Sequence, residues 1–314
     1  MNRIKPPMLR RGDTIGLVSP SGKPQSVNIQ TAIHRFREMG YRIWMDDVVR
    51  KTAQWGYLAG TDKERAESIN NAFRNPEVDA IFCTTGGYGA QRILPLLDYD
   101  AIRDNPKIII GFSDITALHH VIPKMTGLIT FHGPTVSQMG GEFPDYNRDS
   151  LFKAVASPEP VGEITNPVNG PLIKTISDGK VTGELVGGNG SIICSLMGTP
   201  YELDMEGKVF LIENTKERPP YFVDRELTQL RLAGKLQRCG GVVYGECLRT
   251  TPEDVSQGQT MEEVVQDRIG DLSFPAIYDL CCRHGRYNCT LPLGVKATLD
   301  ASNGKLIIEE SAVS

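Results

Sequence analysis

The stretch Ile108–His120, IIIGFSDITALHH, sets a hydroxyl, Ser113, between an apolar run that reads as a buried strand and an acidic residue that could open a helix. In open α/β sheets, ligands bind beyond the carboxyl ends of the strands. A helix N-terminus there adds a positive field and unpaired backbone N–H groups. A serine so placed suits nucleophilic attack, in the manner of a nucleophile elbow, although GFSD departs from G-x-S-x-G. The same position also suits an ordinary helix cap.

A serine nucleophile needs a base, and the chain offers five histidines. His34 falls on an amphipathic helix and reads as a surface or half-buried residue. His119 and His120 lie nearly two turns along the helix that Ser113 starts, too far down its axis to reach back. His132, in TFHGP, follows a strand of the same half, and His284, in CCRHGRYN, sits in an irregular segment among Arg, Gly and Asn. Spacing leaves both open. An acid that orients the imidazole completes a triad. Glu213 ends the apolar run VFLI, so its carboxylate should emerge at a strand end, where solvation is the common alternative. In the loop Thr84–Gly89, TTGGYG, the glycines let backbone N–H groups approach a substrate, as an oxyanion hole or a phosphate cradle.

The seven cysteines, Cys83, Cys194, Cys239, Cys247, Cys281, Cys282 and Cys289, include no C-x-x-C pair and read as reduced thiols. Cys83, beside the glycine loop, is the one candidate thiol nucleophile. No group of ligating residues has zinc spacing, so no metal is expected. The 34 basic and 38 acidic residues give a net charge of −4, and the basic ones are scattered, which argues against nucleic acid as a partner. No apolar run approaches the ~18 residues of a membrane span. The leading MNRIKPPMLRRGD carries charges with no apolar segment behind them, so export by a signal peptide is not expected and a cytoplasmic protein is.

With 314 residues, two domains are the first expectation. In the first half, strands at Thr14–Val18, Tyr41–Val49, Asp79–Thr84 and Lys107–Gly111 alternate with helices at Ile29–Met39, from the capping box Thr61-Asp62-Lys63-Glu64 to about Phe73, from the glycine loop to Leu97, and Asp114–Met125. Such alternation implies right-handed crossovers and a mostly parallel sheet. A Pro- and Gly-rich stretch marks a linker at 161–178, between domains at 1–160 and 179–314. Beyond it come a glycine turn running into a helix over Gly187–Met197, a strand Lys208–Ile212, a helix Asp224–Leu236, and a strand Gly241–Tyr244. A hairpin over Val295–Leu299 and Lys305–Glu309 follows.

Several long pieces, in order along nearly the whole chain, resemble the LD-carboxypeptidase family of serine peptidases, which also includes the microcin C immunity peptidases. They are TTGGYGAQRILPLLDY (84–99), IIIGFSDITAL (108–118), FHGP (131–134), GELVGGNGSIICSLMGTPY (183–201), VFLIENTKERPPYFVDRELTQLRLAG (209–234) and HGRYNCTLPLGVKATLD (284–300). The resemblance implies a triad of Ser113, Glu213 and His284, and so selects His284 over His132. It implies an oxyanion hole from the N–H of Asp114 and one of the glycine pair, Gly87 in preference to Gly86. The implied fold is an amidotransferase-like (flavodoxin-like) parallel-sheet domain carrying the serine, and a smaller α/β domain, partly β-rich, carrying the glutamate and histidine. Their site is expected to form between them. The implied activity is hydrolysis of the L,D-peptide bond before a terminal D-Ala of a muropeptide, in peptidoglycan recycling, by a cytoplasmic homodimer. The alternatives are a microcin-type peptidase cleaving peptidyl-nucleotide amides, and a non-catalytic anion- or peptide-binding protein. Two positions depart from the family's usual pattern: Arg283 stands where Gly is common, and Asn214 where an acid is frequent. GGYGAQR resembles the cell-wall branch more than the microcin branch. Arg283, Arg92 and Tyr88 are the expected substrate contacts.

Overall fold

Short apolar runs, each closed by a turn, make up the first sheet. The strands are β1 (Thr14–Val18), β2 (Arg42–Met45), β3 (Ala80–Cys83), β4 (Ile108–Gly111) and β5 (Thr130–His132). All residues of β1, β3, β4 and β5 are buried, as strands covered on both faces must be. The structure is a computed structural model describing residues 3–50, 56–215, 219–246, 258–282 and 284–314. β2 ends four residues earlier than the apolar pattern suggests. Asp46 accepts the Val48 N–H through Oδ1 at 2.9 Å, and a short helix at Asp47–Arg50 takes the place of the expected end of the strand.

Amphipathic helices connect these strands. α1 (Ser26–Glu38) buries Ile29, Ala32, Ile33 and Phe36, the i, i+3, i+4, i+7 stripe of a helix facing a sheet. The Asp47–Arg50 helix is α2, and α3 (Asp62–Arg74) opens on the expected capping box, with reciprocal bonds between Thr61 and Glu64. Next come α4 (Ala90–Ile93), α5 (Tyr99–Asp104), α6 (Thr116–Thr126), α7 (Val136–Gly140) and α8 (Asp145–Val155). The chain after Ser113 first makes a 3₁₀ turn, Ser113–Ile115, and only then α6. The strand order is β2-β1-β3-β4-β5, all parallel, the flavodoxin-like order. A late strand, β12 (Leu291–Leu293), pairs antiparallel with β5 at the edge.

Among the described residues the second sheet has eight strands, in the order β6-β14-β13-β8-β9-β10-β11-β7. Its parallel centre is β8 (Lys180–Asn189), β9 (Val209–Glu213), β10 (Gly241–Gly245) and β11 (Ala276–Leu280). The hairpin β13 (Lys296–Asp300) and β14 (Lys305–Ile308) extends it antiparallel. The two edges, β6 (Gly162–Ile164) and β7 (Lys174–Ser177), lie within residues 161–178. That stretch is therefore not a bare linker. Proline-flanked strands are tolerated at sheet edges, where no second neighbour needs their N–H groups. Helices α9 (Gly190–Ser195), α10 (Pro220–Leu232) and α11 (Met261–Ile269) belong to the same part of the chain. Val223, Leu227 and Leu230 pack with Phe210, Ile212, Val242 and Tyr244, each side chain gaining about 1.5–3 kcal/mol from burial.

The chain divides into two compact units: Met1–Glu159 with Cys289–Gly294 and Ser311–Ser314, and Pro160–Asn288 with Val295–Glu310. Among the described residues, no helix is long and apolar enough to cross a membrane.

Gly187 and Gly188, expected in a turn, instead continue β8 with φ of +130° and +141°. A Cβ on Gly187 would press on the Leu211 carbonyl of β9. Gly187→Ala should therefore cost about 2–5 kcal/mol in chemical denaturation, adding crowding to backbone strain. Gly198→Ala, with φ +75° and open space around its Cβ position, should cost about 1 kcal/mol, the strain alone.

Candidate active site

In the first unit the strand order reverses between β1 and β3, whose connections leave toward opposite edges of the sheet. A crevice opens at such a switch point, at the carboxyl ends of the strands. The Ser19–Gly22 turn after β1 and the Thr84–Gly89 loop after β3 flank it, and Ser113 follows β4 next door. Ser113 has φ +63°, a left-handed conformation that costs a non-glycine residue about 1–2 kcal/mol. A plain helix cap sits in extended backbone and carries no such strain. The turn lifts the side chain off the strand end, as a nucleophile elbow does.

Gly86 packs directly on Ser113. A Cβ there would stand 2.8 Å from Ser113 Cβ, 3.0 Å from its Oγ and 3.4 Å from the Asp114 nitrogen. The Gly22 N–H donates to the Gly86 carbonyl at 3.0 Å. In a trans peptide the C=O and the following N–H point opposite ways, so the Gly87 N–H is turned away from Gly22. Gly87 holds φ +102°. The Asp114 side chain is buried and accepts from Ser21 Oγ at 2.6 Å and from the Ala90 N–H at 2.8 Å, both on Oδ2. Burial pushes its carboxyl above the usual range, opposed by those two bonds and by Arg65.

The other candidates of this unit are accounted for structurally. His119 is buried with Nε2 on the Gly111 carbonyl at 2.8 Å, and burial pushes its pKa down to about 3, so it stays neutral. His120 is buried on the same helix. His132 is fully buried within β5, paired with Leu291. His34 is exposed and pairs with Glu38 at 3.2 Å. Cys83 is fully buried, and burial pushes its thiol far up, away from the thiolate a nucleophile needs. Cys83, Cys194, Cys239, Cys281, Cys282 and Cys289 are all free and buried, while Cys247 lies outside the described residues. Arg92 is bound to Asp62, with Nε at 3.1 Å and Nη2 at 2.9 Å from Oδ2. Tyr88 is partly exposed and meets Tyr57 edge-on, ring centroids 5.8 Å apart.

In the second unit Glu213 ends β9 with no solvent exposure. Its Oε2 is 3.0 Å from His284 Nδ1, and its Oε1 accepts from Asn189 Nδ2 at 3.0 Å. An ionised carboxylate only accepts, so Nδ1 carries the proton and Nε2 is the basic nitrogen. Asn189 and Glu213 are register partners at the ends of adjacent parallel strands. Gly245, ending β10, leaves room for Glu213, since a Cβ there would stand 2.9 Å from Glu213 Cβ. His284 lies on the loop closed by the Cys282–Asn288 bridge. Asn166 braces the loop's entry, donating to the Asp279 carbonyl at 2.6 Å and accepting the Cys281 N–H at 2.8 Å. Asp279 itself has φ +71°. Asn214 donates to Tyr244 Oη at 2.9 Å. Arg283 lies outside the described residues.

Asn189, Asn166 and Asp279 are the residues that sequence reasoning missed. Asn189 would have been found had β8 been followed through its two glycines. A strained serine beside N–H-bearing turns and an imidazole held by a buried carboxylate are the parts that nucleophilic acyl transfer requires.

The chain matches the LD-carboxypeptidase N-terminal domain over residues 15–133 and the LD-carboxypeptidase C-terminal domain over residues 182–299. A protein named probable murein peptide carboxypeptidase, from Bacillus subtilis (strain 168), is 35% identical over 306 residues, 97% of this chain and 94% of its own. The solved structure of the microcin C7 self-immunity protein MccF in its wild-type apo state has a TM-score of 0.88 at 28% identity, covering 99% of this chain and 100% of its own. That of a muramoyltetrapeptide carboxypeptidase from Oxalobacter formigenes has a TM-score of 0.81 at 27% identity, covering 95% and 99%.

The contact between Gly86 and Ser113 makes a direct test of the first unit's geometry. Gly86→Ala should displace the serine side chain and lower kcat about a hundredfold, the scale of a misplacement near 1 Å. Thermal unfolding should show the variant folded, because Gly86 needs no left-handed backbone.

Proposed function

This chain belongs to the LD-carboxypeptidase family, and from that premise we propose that it is a serine carboxypeptidase removing a terminal D-alanine from muropeptides. The bond cut follows an L-centre of a diamino acid. The observation that carries the reading is the fully buried Glu213 bonded to His284 Nδ1, since it supplies a base in a defined tautomer. Ser113 Oγ attacks the carbonyl carbon while His284 Nε2 takes its proton. The N–H groups of Asp114 and Gly87 stabilise the oxyanion, with Gly86 as the alternative to Gly87. His284 then protonates the leaving D-alanine amine. Water, deprotonated by His284, releases the acyl group from Ser113. These steps call on no metal or organic cofactor. Peptidoglycan recycling in the cytoplasm, by a homodimer, is the setting proposed with this activity.

An L,D-peptidase must tell mirror arrangements apart on both sides of one bond. Apolar contact does this poorly, because exchanging a methyl and a hydrogen changes little buried area. A cation on the substrate's terminal carboxylate does better, since the wrong enantiomer then carries its carbonyl away from the oxyanion hole. Of the two cations proposed for this, Arg92 already forks onto Asp62, which favours Arg283. Tyr88, partly exposed in the glycine loop, is proposed as a further substrate contact. A second reading, cleavage of a microcin-type peptidyl-nucleotide amide, is supported by the TM-score of 0.88 to the microcin immunity protein.

Ser113→Ala and His284→Ala should each lower kcat by about 10⁴-fold or more, and the double variant should lose little beyond either, because the groups act as one unit. Glu213→Gln should lose less. A peptide ending in L-diamino-acid–D-Ala should be cleaved, with near silence toward the same peptide ending in L-Ala or in D-Ala amide. Comparable rates on all three, or faster cleavage of a peptidyl nucleotide, would overturn the muropeptide reading.

A further inference from the structure

Two loops of the first unit, Ser19–Gly22 and Thr84–Gly89, are held together by a buried carboxyl group and a buried guanidinium. Arg65, on α3 and without solvent exposure, donates through Nη1 to the Pro20 carbonyl and, at 2.8 Å, to the Gly89 carbonyl. Asp114 accepts from the residue that follows each of these carbonyls, from Ser21 Oγ and from the Ala90 N–H at the start of α4. Arg65 is itself fixed by the Gly60 carbonyl on Nε at 3.2 Å and by Asp62 Oδ1 on Nη2 at 2.5 Å. Gly89 must be glycine for so close an approach, since a Cβ there would stand 2.7 Å from Arg65 Nη1. Two further ties join the same loops: Ser19 Oγ to Thr84 Oγ1 at 2.6 Å, and the Gly22 N–H to the Gly86 carbonyl.

Taking two charged groups out of water costs several kcal/mol apiece, and packed apolar residues would hold two loops as stably. What apolar packing does not supply is fixed direction. Asp114 is also the residue whose N–H is proposed for the oxyanion hole. Its side chain therefore ties that N–H to the loop carrying Gly86 and Gly87. We propose that Asp114 and Arg65 are positioning residues that preform the oxyanion hole. They set the glycine loop against the Ser113 turn before substrate arrives. The inference rests on the serine-peptidase reading, and deepens it.

The test measures three quantities on the full chain: thermal midpoint, kcat and KM on a tetrapeptide ending in D-Ala, and the labelling rate by a fluorophosphonate probe, whose adduct needs Ser113 and the hole but not the peptide. Ser21→Ala and Arg65→Lys should each lower kcat and labelling about tenfold, with KM changed less than about twofold. Asp114→Ala should lower both by about 10²–10³-fold, the scale of losing an oxyanion donor. Asp114→Asn should recover to within about tenfold of the unaltered protein, because one amide oxygen can accept both bonds that Oδ2 accepts now. Variants that melt earlier but label and turn over at the original rate would reduce the clamp to a stabilising role and overturn the proposal. Should Asp114→Ala or Arg65→Lys not fold, Ser21→Ala, which removes one hydroxyl, decides the matter alone. An unaltered protein that the probe fails to label overturns the serine reading itself, and the clamp's catalytic role with it.

Discussion

A carboxylate shut away from water must have its charge met by the fold, and Glu213 imposes that condition on the second unit. Its position at the end of β9 puts Asn189, its register partner on β8, within reach of one oxygen, and His284 meets the other. Each partner calls for its own support. Asn189 arrives only because β8 runs on through two glycines. His284 follows the end of β11, where Asp279 is left-handed and Asn166 braces the backbone on either side of Leu280. The glycine ending β10 keeps the space open. Removing either Asn189 or His284 would take one bond from a buried carboxylate.

The first unit solves a different problem, that of holding Ser113 in a backbone conformation it does not favour. The left-handed Ser113 persists because its neighbours over-determine it. β4 is buried on one side, the Asp114 carboxylate is bonded to two separate loops on the other, and Gly86 fits against the serine with no room for a side chain. Strain here and burial of charge in the second unit are the same kind of expense, local instability offset by the surrounding fold.

Much of this was legible in the sequence because it is local. The strand β1, the capping box of α3, the alternation that implies a parallel sheet, and the placement of Ser113 and Glu213 at strand ends all follow from periodicity and turn chemistry. What failed to show was non-local. The pairing of Asn189 with Glu213 depends on the register of parallel strands joined by a long crossover, which leaves no trace in either segment. The edge strands β6 and β7 were hidden by proline and glycine, residues that edges tolerate and centres do not. Residue types alone could not separate His132 from His284, and only the family resemblance did. In the structure His132 is inside a strand of the first sheet, whereas His284 is on a loop with Glu213 at its Nδ1.

The chain leaves the first unit at residue 159 and returns to it for Cys289–Gly294 and Ser311–Ser314. Leu291–Leu293 pair with β5, and Ser314 exchanges backbone bonds with Pro6 and Met8. A ribosome making this protein from its N-terminus has therefore synthesised the whole intervening insertion before β5 acquires its outer neighbour. During that interval β5 presents an unpaired edge, the kind of surface on which nascent chains associate wrongly. Vectorial synthesis thus orders assembly: the parallel centre of the insertion, β8 to β11, emerges before Leu291–Leu293, the strand that completes the sheet preceding Ser113.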